Sequence, residues 1–378
     1  MSAIVAYGII TFMKKTILTV EQAAKLLQVD PNTIYRWARS GKFPASKIGK
    51  EWRILNSDVL KFIEANKKRT QFLSESQEAE LMTSLVGRRE IPLKFEYFGE
   101  GADRYTTFTH PKEYGGESEI DIFIDNNRQF ISALGNNRFN LLDLGCGDGK
   151  KAAYFMHNLE NKSEGYFPAD ISTRMLEIGM KNMELAFADV DKESFQIDFE
   201  QGNMAQVTYY LRRRYKRPNL ILFLGQTIGN ISDAHRVLIN INESMTHEDI
   251  LLVGMAYYNT KKIPVEAYNV PGAVDVMWTV PEKIGIKRND ANIYWTYNDK
   301  KRQLECQLEF SKDWNYTFGL NLLQFAKGQR VRLAISRRFT KDDIFELFAN
   351  AGFKIELLVH DKDNVLVLAK PHSWEKKV

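Results

Sequence analysis

The chain has 378 residues, 44% of them apolar and 12% aromatic, which is enough material for two or three folded domains. It has no run of about 18 consecutive apolar residues and no basic leader before a cleavage site, and its two cysteines are too few for a disulfide scaffold or a zinc site, so membrane, secreted and metal-dependent classes are set aside for a cytoplasmic protein. The net charge of +4 is uneven: residues 1–69 hold 13 Lys or Arg against 5 Asp or Glu and the remainder 39 against 43, so a basic head suited to a polyanion precedes a mildly acidic body.

Residues 1–15 read as a disordered or extended start, with Met13 before KKTIL the more natural initiator. From Thr19, TVEQAAKLLQVD predicts a short helix: Thr19 and Gln22 make a capping box, and Ala23, Ala24, Leu26 and Leu27 form the apolar stripe. Asp30 suits an N-cap and Pro31 a first helical position, so a second helix runs to about Ser40. It buries Ile34, Trp37 and Ala38 and turns Asn32, Thr33, Tyr35, Arg36 and Arg39 outward, groups fit for phosphates and base edges. SGKFPASKIGKEWRI then predicts a turn and two short strands with Lys47, Lys50 and Arg53 at or near the tip, and NSDVLKFIEANKK a closing helix. From end to end, LTVEQAAKLLQVDPNTIYRWARSGKFPASKIGKEWRI resembles the MerR-like, excisionase-type winged helix-turn-helix family. The resemblance implies binding of double-stranded DNA through residues 16–69, with a homodimer or a partner for specificity because so small a domain makes few base contacts. The alternative is a helical module serving protein contacts.

Residues 70–138 read as a polar linker followed by a helical lead-in. FNLLDLGCGDGKKAAYF is strand, tight turn and helix: Gly145, Gly147 and Gly149 let backbone approach a ligand, and the helix N-terminus offers amide donors. EGYFPADIS ends a second strand at Asp170, where a carboxylate accepts from ribose hydroxyls. FEQGNMAQV puts Asn203, beside Met204, at a third strand end where an amide reads an adenine edge. NLILFLGQTIGNI is a fourth strand running into a loop, DILLVGMAYY a fifth, and AISRRFTKDDIFELFANAGFKIELLVHDKDNVLVLAKP a strand end, a helix and an antiparallel edge hairpin. This ladder resembles the class I S-adenosylmethionine methyltransferases, with an α/β Rossmann-like fold. The resemblance implies S-adenosylmethionine as cofactor, held by Gly145, Cys146, Gly147, Gly149, Lys151, Asp170, Asn203, Met204 and Gly225. Dinucleotide dehydrogenases share the glycine turn, but nothing like a nicotinamide site follows it.

KFEYFGEGADRYTTFTHPKEY, FPADIS, FLGQTIGNI and VRLAISRRFTKDDIFELFANAGF together resemble the histidine-specific, ergothioneine-type methyltransferase family over roughly residues 90–370. The resemblance implies that Asn230 of the TIGN loop and Tyr268 of VEAYNVPG contact the amino-acid substrate and carry the catalysis, with Ser336 a further substrate contact. Two departures matter. Family members pair that serine with a glutamate two residues earlier, and Ala334 stands there instead; PKEYGGESE has Gly115 after Tyr114, where the family has a substrate tyrosine. Alanine cannot accept a hydrogen bond from an imidazole, so a changed acceptor is expected.

The domain reading is therefore 16–69 winged helix-turn-helix, 70–138 lead-in, 139–256 and 331–372 methyltransferase core, and 257–330 an inserted substrate region. Tyr257, Tyr258, Trp278, Trp295 and Trp314 give that insert the rings for an aromatic lid, though most suit a core as well. LRRRYKRP, 211–218, is a solvated helix end or a second nucleic-acid contact. The function expected is N-methylation of an amino acid or small amine by a protein with a DNA-binding head; the alternative is a regulator whose methyltransferase-like body senses S-adenosylmethionine or a metabolite. A DNA methyltransferase is disfavoured, since neither an Asp/Asn-Pro-Pro-Tyr motif nor a Pro-Cys nucleophile occurs.

Overall fold

The computed structural model describes residues 17–372 except 28, 42, 67–71, 109–115, 161, 259–264 and 319–320. The expected extended start and Tyr114 lie outside the described residues. The chain divides into two compact units, one reaching Ser76 and including Asn315–Gln324, the other made of Gln77–Trp314 and the residues from Phe325 onward.

In the first unit, β1 (Ile17–Leu18) leads into α1 (Val20–Leu27), α2 (Pro31–Arg39), β2 (Ser46–Ile48), β3 (Glu51–Leu55) and α3 (Asn56–Asn66). The caps form as the residue types dictate. The Thr19 amide donates to Gln22 Oε1 at 2.9 Å and the Gln22 amide to Thr19 Oγ1 at 3.2 Å. The Asn32 amide donates to Asp30 Oδ1 at 2.8 Å, with Pro31 opening α2. Ala23, Ala24, Ile34, Phe43, Ile54 and Val59 form the core. Leu26 does not join it: it is 54% exposed, because the stripe of so short a helix closes on the two alanines. Nor did the residue pattern announce β1, which pairs Ile17 with Leu55 and makes the wing a three-stranded sheet.

The second unit is built on an eight-stranded sheet. Its central strands are β4 (Phe139–Leu144), β5 (Ser163–Asp170), β8 (Asn219–Phe223) and β9 (Ile250–Ala256), with β6 (Asp191–Lys192) and β7 (Phe195–Gln196) at one side and the hairpin β15 (Phe353–His360) and β16 (Asn364–Pro371) at the other. The central strands run parallel, whereas β16 is antiparallel to both β9 and β15. β4 is buried along its whole length, as a strand covered on both faces must be. Its Leu142 and Leu144 point into one core layer and its Phe139 and Leu141 into the other. Helices α4 (Glu75–Gly87), α5 (Glu100–Phe108), α6 (Gly116–Asp125), α7 (Asn127–Leu134), α8 (Lys150–Asn158), α9 (Thr173–Ala186), α10 (Ala205–Tyr215), α11 (Thr227–Asn230) and α12 (Ala234–Glu243) accompany these strands, and a doubly wound α/β fold results.

A second, three-stranded sheet holds β10 (Ala291–Asn298), β11 (Gln303–Phe310) and β14 (Arg330–Arg337); β12 (Trp314–Phe318) and β13 (Asn321–Phe325) pair with each other. β14 therefore belongs with the inserted region, not with the main core in which the sequence reading placed residues from 331 onward. Trp278, Trp295 and Trp314 are all buried, Trp314 stacks on Phe310 with ring centres 5.6 Å apart, and Tyr257 stacks on His360 at 4.4 Å. These rings pack as core rather than standing open as a lid.

Candidate active site

Strand order reverses at β4, with β5 on one side and β8 on the other. In open α/β sheets a crevice forms there, at the carboxyl ends of the strands. The glycine turn occupies that place: Gly145, Gly147 and Gly149 hold φ of +62°, +54° and +73°, a region costly for any residue with a Cβ. At Gly149 a Cβ would also stand 3.0 Å from Gly179 O, so glycine lets the turn settle on α9. Cys146 directs its thiol inward, 3.7 Å from Gly147 O, and burial pushes that thiol well up; what it offers a ligand is main chain.

Asp170, 7% exposed at the end of β5, accepts the Ser172 amide at 2.8 Å. Burial pushes its carboxyl up to about 6, against the opposing pull of the Ser172, Gly147 and Ile171 amides. Lys151 Nζ does not point freely into the crevice. It donates to Glu119 at 2.9 Å, and the same carboxylate accepts the Gly225 amide at 2.9 Å and the Gln226 amide at 3.1 Å. Gly225, at φ +77°, carries the loop past that lysine. Glu119 is fully buried, and a Cβ on Gly254 would lie 2.2 Å from its Oε1, so β9 needs a glycine to admit it. This carboxylate ties the loop after β8 to the helix that follows the glycine turn. Sequence reading missed it, because one acid on an amphipathic helix carries no motif.

The third strand differs from expectation. It is the two-residue β7, paired with Ala169 and Asp170, and residues 197–204 follow as loop. Asn203 is therefore not at a strand end: it is exposed and its Oδ1 accepts the Ala205 amide at 3.2 Å in the turn that leads into α10. Met204 is buried, its amide donating to Ser244 Oγ at 2.6 Å. From this loop Phe199 reaches the glycine turn, 3.7 Å from where a Cβ on Gly145 would stand, and Thr227 comes within 3.8 Å of the same point.

After β8, a Cβ at Gly229 would stand 2.7 Å from Arg337 O, so this glycine lets α11 lie directly on β14. Asn230, next in sequence, lines a cavity of about 200 Å³ with Glu200, Arg236, Arg332 and Ala334. Burial pushes the Glu200 carboxyl up to about 7. Tyr268 Oη and Ser336 Oγ stand 3.2 Å apart, and the Tyr268 ring lies 4.9 Å from that of Trp295. Two side chains separated by 68 positions in sequence thus meet, and Asn230 and Ala334 share one cavity.

In the helix-turn-helix unit Asn32, Arg36, Arg39, Lys47 and Lys50 are exposed. Thr33 and Tyr35 are half-buried, Tyr35 packing on the core with its hydroxyl 3.5 Å from Glu21. Arg53 is also half-buried and pairs with Glu51. The exposed face is thus cationic mainly through Arg36, Arg39, Lys47 and Lys50. In the basic stretch 211–218, Arg212 pairs with the buried Asp249 and Arg217 with Glu164, which accounts for two of its cations internally. Among the described residues no helix is long and apolar enough to cross a membrane, and no group of His, Cys, Asp and Glu could hold a metal ion.

Comparison with known proteins matches residues 77–370 to the family described as histidine-specific methyltransferase, SAM-dependent, and residues 17–67 to a helix-turn-helix domain. Histidine N-alpha-methyltransferase of Mycolicibacterium smegmatis is 21% identical over 70% of this chain and 85% of its own length. A 4-dimethylallyltryptophan N-methyltransferase of Trichophyton verrucosum is 23% identical over 71% and 85%. Among solved structures, an S-adenosylmethionine-dependent methyltransferase from Clostridium acetobutylicum superposes with TM-score 0.38 at 13% identity, over 72% of this chain and 96% of that one.

Proposed function

From the premise that the chain belongs to the histidine-specific, S-adenosylmethionine-dependent methyltransferase family, we propose that it methylates the amine nitrogen of an amino acid, or of a related small amine, and that residues 16–69 address it to double-stranded DNA. The observation that carries the first half is the meeting of Tyr268 and Ser336 at 3.2 Å, on the strand that also brings Ala334 to the cavity of Asn230. The relatives named for histidine and for 4-dimethylallyltryptophan both methylate a nitrogen of an amino acid, which supports the acceptor class.

The cofactor is S-adenosylmethionine, and the residues present suit it. The glycine turn leaves open space where a Cβ on Gly147 would be, and the buried Asp170 carboxyl, held up at about 6, gains from hydroxyl donors such as those of a ribose. When bound, the cofactor supplies an electrophilic methyl on a sulfonium: the N–C bond forms as the C–S bond breaks, leaving S-adenosylhomocysteine. The chain's own residues then have to place and strip the amine. Asn230 and Tyr268 hold the amino acid's polar end, Ser336 orients Tyr268, and the Lys151–Glu119 pair fixes the Gly225 loop against the turn. Orientation and exclusion of water supply most of the acceleration, since a neutral amine is already nucleophilic.

The test is a turnover assay with labelled S-adenosylmethionine, presenting amino acids, small amines and duplex DNA in parallel and reading release of S-adenosylhomocysteine. Transfer to an amino acid is expected. Tight cofactor binding with transfer to nothing would move the protein to the sensor-regulator reading, and transfer to DNA would displace both.

A further inference from the structure

An amine meets the protein as an ammonium and must lose a proton before its nitrogen can attack; an amide such as that of Asn230 is no base. The cavity next to the glycine turn holds a group that is. Phe199 and Thr227 flank that turn, 3.7 and 3.8 Å from where a Cβ on Gly145 would stand. Glu200 follows Phe199, and Asn230 ends the helix that Thr227 opens; both line the cavity of about 200 Å³. The two segments that close on the turn therefore continue into the cavity wall, one bringing a carboxyl and the other an amide.

The charges around the cavity single out Glu200. Lys94 Nζ donates to Glu80 at 2.7 Å and to Asp198 at 2.6 Å. Glu90 accepts from Ser232 Oγ at 2.8 Å and pairs with Arg332. Arg88 and Arg236 are exposed, and Asp233 accepts the Arg236 amide as the cap of α12. The Glu200 carboxyl, half-buried, has no hydrogen-bond or ion-pair partner among the described residues. Four buried or half-buried acids, Glu80, Glu90, Asp198 and Glu200, thus stand against two cations, Lys94 and Arg332, and an incoming ammonium offsets the excess. Burial pushes the Glu200 carboxyl up to about 7, with Lys94 pulling it down and Asp198, Glu80 and Glu90 pushing it further up. A base of that strength is ionised just above neutral pH and can still hold the proton it takes.

We propose that this cavity receives the acceptor's ammonium and that Glu200 is the base that deprotonates it. An N–H bond breaks and its proton passes to a Glu200 carboxylate oxygen; the freed lone pair forms the N–C bond as the C–S bond of the sulfonium breaks. Each transfer thus yields one proton, which Glu200, being half-buried rather than sealed, passes on to water. The inference rests on the amino-acid N-methyltransferase reading and supplies the proton step which that reading leaves open.

The test is the pH profile of kcat/KM for the full-length protein, read as S-adenosylhomocysteine release from a dilute mixture of the twenty common amino acids. S-adenosylmethionine is kept saturating at every pH, so that titration of Asp170 does not enter. The unaltered protein should gain about tenfold per pH unit up to about 7 and then level off. Glu200→Gln should lose about 100-fold at pH 7.5 and show no break near 7, its rate climbing with pH as solvent supplies the free amine. Glu200→Asp should keep a break and recover part of the rate, and calorimetric cofactor affinity reports whether each variant is folded. If the Gln variant no longer binds cofactor, the Asp variant decides: rates equal to those of the unaltered protein at every pH would overturn the proposal. A flat profile of the unaltered protein between pH 6 and 8, or a break near 7 that survives in Glu200→Gln, would also overturn it while leaving amino-acid methylation standing. A protein that binds cofactor and methylates nothing in the mixture would overturn the amino-acid reading and this inference with it.

Discussion

Among single residues, Asp170 and Glu119 carry the clearest consequences. If Asp170 holds the cofactor's ribose, Asp170→Ala should weaken S-adenosylmethionine binding by about 10- to 100-fold, the scale of hydrogen bonds to a charged group, without altering DNA binding. Equal affinity in the variant by calorimetry would remove the assignment. The ionised carboxylate is the better acceptor, and burial holds this carboxyl up at about 6. Affinity should therefore fall as pH drops through 6, by about tenfold at pH 5, and a flat profile between pH 5 and 8 would contradict the role. For folding the sign is opposite. A carboxyl whose folded value lies above its ordinary 3.8 contributes stability that is present below about pH 4 and lost as pH rises through about 6. Glu119 is the structural counterpart. Truncating it to alanine leaves Lys151 and the Gly225 and Gln226 amides without their acceptor, and a loss of about 3–5 kcal/mol is expected in denaturant unfolding. A loss below about 1 kcal/mol would mean that water replaces the carboxylate there.

Two short elements bear most of the functional argument. The four-residue α11 rests on β14 only because Gly229 has no side chain, the space for a Cβ being filled by Arg337 O at 2.7 Å. Gly229→Ala should cost about 1–3 kcal/mol of stability and, by displacing Asn230, reduce kcat more than that loss explains; a variant with unchanged turnover would separate Asn230 from the chemistry. In the head, α2 presents Arg36 and Arg39 to solvent. Reversing both charges should abolish retention of duplex DNA at low salt while leaving thermal stability unchanged, and an unaltered gel shift would reassign the head to protein contacts. The elements also show what the residues could announce. Caps, the glycine turn and the edge hairpin were legible because each depends on local residue types: Thr19 with Gln22, Asp30 with Pro31, glycines at positive φ. The third strand was not legible, being two residues long with no periodicity of its own, which is why Asn203 was placed at its end and Phe199 passed over. β1 was hidden for the same reason, and the pairing of β14 with β11, which sets residues 331–337 apart from the core expected over 331–372, is a long-range fact that local residue types do not announce.

At the scale of the whole molecule, the uneven charge has a simple structural counterpart. The basic head folds as its own unit around a small core of alanines, Ile34 and Phe43, while the larger unit carries the glycine turn on its eight-stranded sheet and a separate three-stranded sheet beside it in sequence. What the chain does with both is decided by where the methyl group goes. The most direct measurement is tandem mass spectrometry of the product formed from isotopically labelled S-adenosylmethionine and an amino-acid mixture by the full-length protein. The label is expected on the α-nitrogen of an amino acid. Label on a side-chain atom or a DNA base, or no labelled product while cofactor is bound, would contradict it.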